Sequence, residues 1–335
     1  MQREKANAEP TQQQVVSPDA VSPSAPVSAG MQAAEMPPLV SGRWILAALG
    51  GTLLAAALCA WCTLCVLFYQ GSWQLLYHPT ATVAQTPAGV GLAFEAIRFA
   101  SDDAGQPRLS GWWIPASHDA NFDALTARFN RYTVLYLHGR DGNLSNTLDT
   151  LAMLHEAGVN VLAFDYRGYG QSQFARPSEA HWRDDAGWAI NYLTGTRHVA
   201  AGSIVLYGDE LGANLALEVA ARHPELAGVV LQQPIIDPAT EIFSDPRASL
   251  VPARLLMRDR FDLKAAAAKL GVASLWLEQA ANPGQQGQAP NTDAYARVAA
   301  AKKLGWLRQG PKTEGDCLNA LVSWLDGLGS QGPTH

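Results

Sequence analysis

The sequence predicts an α/β fold, a mostly parallel central sheet flanked by helices, preceded by one transmembrane helix. Two observations carry that prediction. From about residue 93 onward, short apolar and β-branched runs alternate with helix-like stretches. Upstream, Trp44 to Tyr69 is a 26-residue run without a charged side chain. At 335 residues, 48% hydrophobic and 16% charged, the chain is long enough for a sizeable core and too apolar to be disordered throughout. Lys and Arg number 24 against 30 Asp and Glu, a net charge of −6, so the composition does not supply the basic surface that nucleic acid needs and no nucleic-acid partner is expected.

Residues 1–42 are rich in Pro, Ala, Gln, Ser and Val without helical or alternating period. Such a segment buries too little surface to offset its ordering entropy and reads as a disordered tail. The apolar run that follows, a transmembrane helix over 43–69, measures about 39 Å at roughly 1.5 Å per residue and spans a bilayer with some tilt. It is too long and starts too late for a cleaved signal peptide, whose apolar region is roughly 7 to 15 residues. Arg43 abuts its N-terminal end, and Gln70 to Phe94 carries no Lys or Arg. The charge rule then puts the N-terminus in the cytoplasm and the following domain on the far side, the periplasmic face of the inner membrane in a Gram-negative bacterium. Cys59, Cys62 and Cys65 sit three apart inside the run. There they read as small apolar packing residues, with no metal predicted. Cys317 alone remains for the globular part, which rules out an internal disulfide framework.

Residues 70–335 then form one domain, with no repeat of solenoid or propeller period. Antiparallel pieces come first, near Ala93 to Phe99 and Arg108 to Pro115. Buried-strand runs follow at Thr133 to His138, Asn160 to Asp165, Ser203 to Tyr207, Ala227 to Gln233 and Val272 to Leu277. Crossover helices fit Asn146 to Ala157, Glu179 to Leu193, Glu210 to Arg222, Asp293 to Ala301 and Asp316 to Leu325. Between Ile236 and Phe261, a segment with Pro238, Pro246 and Pro252 is placed where a small cap is inserted.

Chemistry in such sheets lies at the carboxyl ends of the strands. Three turns there stand out: His138-Gly139-Arg140-Asp141-Gly142-Asn143-Leu144-Ser145, Asp165-Tyr166-Arg167-Gly168-Tyr169-Gly170-Gln171-Ser172, and Gly208-Asp209-Glu210-Leu211-Gly212-Ala213-Asn214. The last joins a strand to an Ala/Leu-rich helix, the setting of a nucleophile elbow. Gly168-x-Gly170 lacks the third glycine and acidic residue of a dinucleotide site, and no P-loop, HExxH or EF-hand pattern occurs, so no cofactor is predicted.

In the order of these motifs, with Tyr77-His78-Pro79 and Gly111-Trp112-Trp113-Ile114-Pro115 ahead of them, the sequence resembles the α/β-hydrolase superfamily, in particular its membrane-anchored, serine-aminopeptidase-like branch. The resemblance covers about residues 77 to 235 and implies the α/β-hydrolase fold with a Ser-Asp-His triad. The triad is missing. The elbow reads Gly208-Asp209-Glu210-Leu211-Gly212, with Glu210 at the nucleophile position between the elbow glycines Gly208 and Gly212. A base must follow in the chain, yet only His223 and His335 do, one at the far end of the elbow helix and the other the last residue. The acid turn reads Glu278-Gln279-Ala280-Ala281-Asn282-Pro283-Gly284 and the base turn Gly310-Pro311-Lys312-Thr313-Glu314. Asp237 is either a displaced acid or, before Pro238, a helix cap.

Three roles stand open for Glu210. With Asp209 it is a dipole-favoured anion at a helix N-terminus; or it folds into the oxyanion hole that the family forms from the N–H groups of Leu211 and a residue near Arg140, with Arg140 adding a charge-assisted pair; or it is a carboxylate nucleophile lacking a His to complete turnover. His138, His181, Ser145 and Ser172 read as packing, surface and turn-capping residues. The expectation is a degenerate, non-catalytic hydrolase-fold protein at the membrane lipid bilayer, binding a small apolar or acylated ligand or a membrane protein partner. The alternative is an active ester, thioester or amide hydrolase with non-standard residues.

Overall fold

The computed structural model describes residues 41–116, 129–279, 291–308 and 313–330. The chain divides into two compact units, 1–55 and 56–335. The tail expected over 1–42 lies, apart from its last two residues, outside the described residues. Helix α1 (Gly42–Gly71) is long and apolar enough to cross a membrane, and no residue of it is buried. Its large side chains, such as Leu54 at 73%, are exposed, a surface that water tolerates poorly over such a length.

The rest of the chain runs through α2 (Trp73–Leu76), β1 (His78–Pro79), β2 (Glu95–Ser101), β3 (Pro107–Ile114), β4 (Thr133–Leu137), β5 (Asp141–Gly142), α3 (Leu148–Glu156), β6 (Asn160–Asp165) and α4 (Glu179–Asn191). It continues with β7 (Ile204–Asp209), α5 (Leu211–Ala220), β8 (Gly228–Gln232), α6 (Pro238–Phe243), α7 (Ala253–Leu256), α8 (Leu263–Ala267), β9 (Ala273–Gln279), α9 (Thr292–Arg297), β10 (Lys302–Leu307) and α10 (Thr313–Ser330). Among the described residues the main sheet has eight strands in the order β10-β9-β8-β7-β4-β6-β3-β2. The pairs β2–β3 and β3–β6 are antiparallel and the others parallel, as the antiparallel opening of the sequence implies.

Successive side chains of each strand point to opposite faces, so apolar runs such as Thr133–Leu137 feed two cores at once. Leu135, Leu137, Leu206, Leu231 and Trp276 pack with residues of α4 and α5 on one face. Val134, Tyr136, Val205, Tyr207 and Val230 pack with α3 and α10 on the other. The segment between β8 and β9 folds as short helices, the small cap expected there.

The edge strand β10 departs from the sequence pattern, as does the two-stranded pairing of β1 with β5. The helix expected over Asp293 to Ala301 ends at Arg297, and the chain re-enters the sheet as β10 beside β9. Lys302, Lys303 and Gly305 interrupt the apolar pattern because β10 is an edge strand, where exposed lysines blunt edge-to-edge pairing.

Candidate active site

The register that pairs Leu137 with Gly208 sets the turn after β4 against the turn after β7. At Gly208 a Cβ would overlap the Gly212 carbonyl and the Ala213 backbone, and at Gly212 it would overlap the carbonyls of Leu137 and His138. Only glycine lets α5 start this close to the sheet. Between them Glu210 takes φ 49° and ψ −117°. A non-glycine residue held there stores about 1–3 kcal/mol of backbone strain. The peptide is secured by its N–H donating to Gln232 O at 3.0 Å and by its carbonyl accepting from Ala213 N at 3.0 Å. The elbow geometry expected from Gly208, Glu210 and Gly212 is therefore present, with Leu211 buried as the first residue of α5.

The Glu210 side chain makes no capping hydrogen bond to its own helix. It reaches instead toward the turn after β4, where a methyl group placed on Gly139 would lie 3.1 Å from Glu210 Oε2. The carboxylate therefore lies beside the turn after β4. Burial, and next the Glu210 carboxylate beside it, push Asp209 up to about 7.

The oxyanion loop is held from outside the sheet. Strand β1 pairs in parallel with β5, His78 N donates to Arg140 O at 3.1 Å, and the Tyr169 hydroxyl donates to the same carbonyl at 2.8 Å. Asn143 Nδ2 donates to Thr80 O, Thr80 Oγ1 and Thr82 O at 3.1, 2.8 and 2.8 Å. Residues 78–82 thereby fix where Gly139 and Arg140 stand.

Ser145, Ser172, His181 and His223 have their hydrogen bonds away from the elbow. His138 is fully buried, and its Nδ1 lies 2.7 Å from Gly139 O. Its Nε2 is 3.7 Å from Asp165 Oδ1. The rings of Tyr166, Tyr169 and Trp182 surround it. Burial lowers His138 to about 4 and raises Asp165 to about 7. His181 Nδ1 contacts Arg176 O at 2.9 Å, and His223 Nδ1 meets Glu225 Oε1 at 2.8 Å at the far end of α5. Ser145 Oγ donates to Asn143 Oδ1 and Ser172 Oγ to Asp165 O, as turn residues do. Asp237 accepts from Ala239 N at 3.0 Å as the N-cap of α6. Cys317 is buried, and desolvation pushes its thiol up to about 12, out of reach of thiolate chemistry at neutral pH. His335, residues 280–284 of the acid turn and residues 310–312 of the base turn lie outside the described residues.

One carboxylate carries more than the sequence assigned to it. Glu278, inside β9 rather than in the turn beyond it, is buried and accepts from Asn291 Nδ2 at 2.9 Å. Burial raises it to about 7, so it holds a proton through much of the neutral range. The available signal was a charged residue closing an apolar strand. Cys59, Cys62 and Cys65 are free thiols on α1. Among the described residues no three His, Cys, Asp or Glu side chains group as metal ligands do.

Comparison with known proteins agrees with this architecture. Residues 129–293 match the family model of serine aminopeptidase, S33. The YfhR protein of Escherichia coli (strain K12) is 34% identical over 128 residues, 38% of this chain and 42% of the relative. The bem46 protein of Schizosaccharomyces pombe is 31% identical over 105 residues, 31% and 35% of the two chains. The chain thus spans about half or less of the length of these curated relatives. Among solved structures, the Pyrococcus furiosus esterase Pf2001 matches with TM-score 0.54 at 16% identity, covering 76% of this chain and 98% of that one. An alpha-beta hydrolase from Vibrio vulnificus matches with TM-score 0.51 at 19% identity, covering 72% and 82%.

Proposed function

On the α/β-hydrolase fold and the match of residues 129–293 to the serine aminopeptidase, S33 model, we propose that the chain is a catalytically degenerate hydrolase-fold protein, a single-pass membrane protein whose domain binds a lipid-like or acylated ligand, or a membrane protein partner, without turning it over. The observation that supports this reading is the Glu210 side chain, aimed from the elbow at Gly139. An oxyanion hole accelerates acyl transfer by stabilising negative charge as it develops. A carboxylate already lying there neutralises the same donors in the ground state and repels the charge that a substrate carbonyl would acquire. In this reading Arg140, next to Gly139, balances Glu210.

The chemistry that follows acylation is also unprovided for. The sequence holds no His from 224 to 334, and His223 is bonded to Glu225 away from the elbow. A carboxylate nucleophile without a base would halt at its ester. The domain lies beyond the cytoplasm, with α1 as the anchor and Arg43 on the cytoplasmic side.

The test is labelling of the full-length chain in detergent by a fluorophosphonate probe, beside Glu210→Ser. The reading expects no labelling of the native chain and no turnover by the variant, which regains a hydroxyl but no base. Labelling of the native chain overturns it. Protease added outside intact cells tests the orientation: digestion of the domain is expected, and cleavage confined to the tail contradicts it.

A further inference from the structure

The end of α1 enters a joint with the cap that the hydrolase fold does not require. Trp61 Nε1 donates to Leu250 O at 3.2 Å, ten residues before the helix ends. The cap therefore runs beside roughly the last 15 Å of the helix. Thirty residues of helix measure about 45 Å, whereas a hydrocarbon core of about 30 Å needs some 20. The excess turns emerge at the headgroup level, where Tyr and Trp are favoured. Tyr69 and Trp73 stand there, and each carries an arginine: the Arg258 guanidinium lies 3.9 Å from the Tyr69 ring centre and that of Arg176 lies 5.7 Å from Trp73. Arg176 Nη2 also donates to Tyr69 O at 3.4 Å.

Between these groups is a cavity of about 210 Å³ whose wall includes Tyr69, Ser72, Trp73, Arg176 and Arg258. Its carboxyl, Asp259, is turned to other partners, accepting from the Tyr77 hydroxyl at 3.0 Å and Glu179 N at 3.2 Å. Ser72 also borders an adjoining apolar groove of about 480 Å³ formed by Leu64, Leu67, Phe68, Leu75, Leu250 and Val251. In sequence, Phe174, two residues before Arg176, is 95% exposed, and Leu255, three before Arg258, is 79% exposed. Two cations over aromatic rings and an apolar slot beside them match one ligand, a phosphodiester headgroup with its acyl chain.

We propose that the cavity between Arg176 and Arg258 binds the phosphate headgroup of an anionic phospholipid of the bilayer, with an acyl chain of the same lipid in the groove along the end of α1. The proposal rests on α1 being a membrane anchor and is independent of whether the elbow is catalytic.

The full-length chain in detergent is titrated with dioctanoyl phosphatidylglycerol, dioctanoyl phosphatidylcholine and glycerol phosphate, with bound adducts counted by native mass spectrometry. Phosphatidylglycerol is expected to bind about tenfold more tightly than phosphatidylcholine. The double change Arg176→Gln and Arg258→Gln brings the two within about twofold, while Arg260→Gln, at an exposed arginine outside the cavity, keeps the preference. Arg→Lys at both sites, which spares the charge, retains most of it. Equal binding of the two lipids, a preference that survives the double change, or glycerol phosphate binding as tightly as phosphatidylglycerol overturns the proposal. Release of the chain from membranes by alkaline carbonate refutes the anchor instead, a result distinct from loss of headgroup preference in the titration.

Discussion

At the end of β7 the backbone leaves no choice of residue, since Gly208 and Gly212 face carbonyls and backbone atoms at distances a Cβ cannot share, and the strained peptide of Glu210 between them is pinned to Gln232 and Ala213. At the end of β9, three strands toward the sheet edge from β4, Glu278 stands in register with Trp306 of β10, and its buried side chain accepts one hydrogen bond from Asn291. The contrast separates what packing demands from what chemistry demands. An elbow keeps its shape whether or not a nucleophile stands on it, because α5 cannot approach the sheet otherwise. That approach constrains the glycines and leaves the identity of the side chain at position 210 open. Retained geometry at an elbow is therefore evidence of ancestry and fold, and says little about turnover.

The strongest way to break this contrast is to overpack the elbow. Gly212→Val should destabilise the domain by about 3 kcal/mol or more, read as a lowered urea midpoint, because both backbones must move. A change below about 1 kcal/mol would show that the elbow is looser than the geometry states. Next in size is the strained residue itself. Glu210→Gly removes the Cβ at φ 49° and should raise stability by about 1 kcal/mol, whereas Glu210→Val should lower it. A loss on Glu210→Gly would mean that the carboxylate contributes more to folding than its strain costs.

The buried acids make the stability of the domain depend on pH. Asp165, Asp209 and Glu278 each have a folded pKa raised to about 7, so each contributes stability that is present below its unfolded value near 4 and is lost as pH rises through 7. His138 is opposite: lowered to about 4, it stabilises above its unfolded value near 6.5 and loses that contribution as pH falls toward 4. Three acids outweigh one imidazole across pH 5 to 7. The melting temperature should fall on going from pH 5.5 to 8, and Asp165→Asn should shallow that fall. A rise over the same range contradicts the buried-acid picture. The smallest effect expected is the coupling of Arg140 to Glu210, about 1 kcal/mol in a double-mutant cycle of Arg140→Ala with Glu210→Gln. A coupling near zero removes Arg140 from the site.

Much of this was legible in the residues. The strand runs from Thr133, Asn160, Ser203, Ala227 and Val272 lie where the sheet has them, because strands buried on both faces must be apolar throughout. The elbow was legible from two glycines around Glu210 in a strand–turn–helix setting. The direction of the Glu210 side chain was not, since a helix N-terminus and an oxyanion loop both welcome a carboxylate, and only the register of β4 against β7 decides which one it meets. β10 was hidden by Lys302 and Lys303, which an edge strand exposes and a pattern search reads as loop. Residues 78–82 gave no sign of holding the oxyanion loop, because their pairing with Asp141 and Gly142 joins segments about sixty residues apart.

The central claim is that Glu210 blocks the chemistry its elbow is shaped for, and hydrolysis of p-nitrophenyl butyrate by the full-length chain in detergent tests it most directly. The account predicts a rate equal to the uncatalysed blank, unchanged in Glu210→Ala. Turnover above the blank that disappears in Glu210→Ala would contradict it and make the carboxylate a nucleophile.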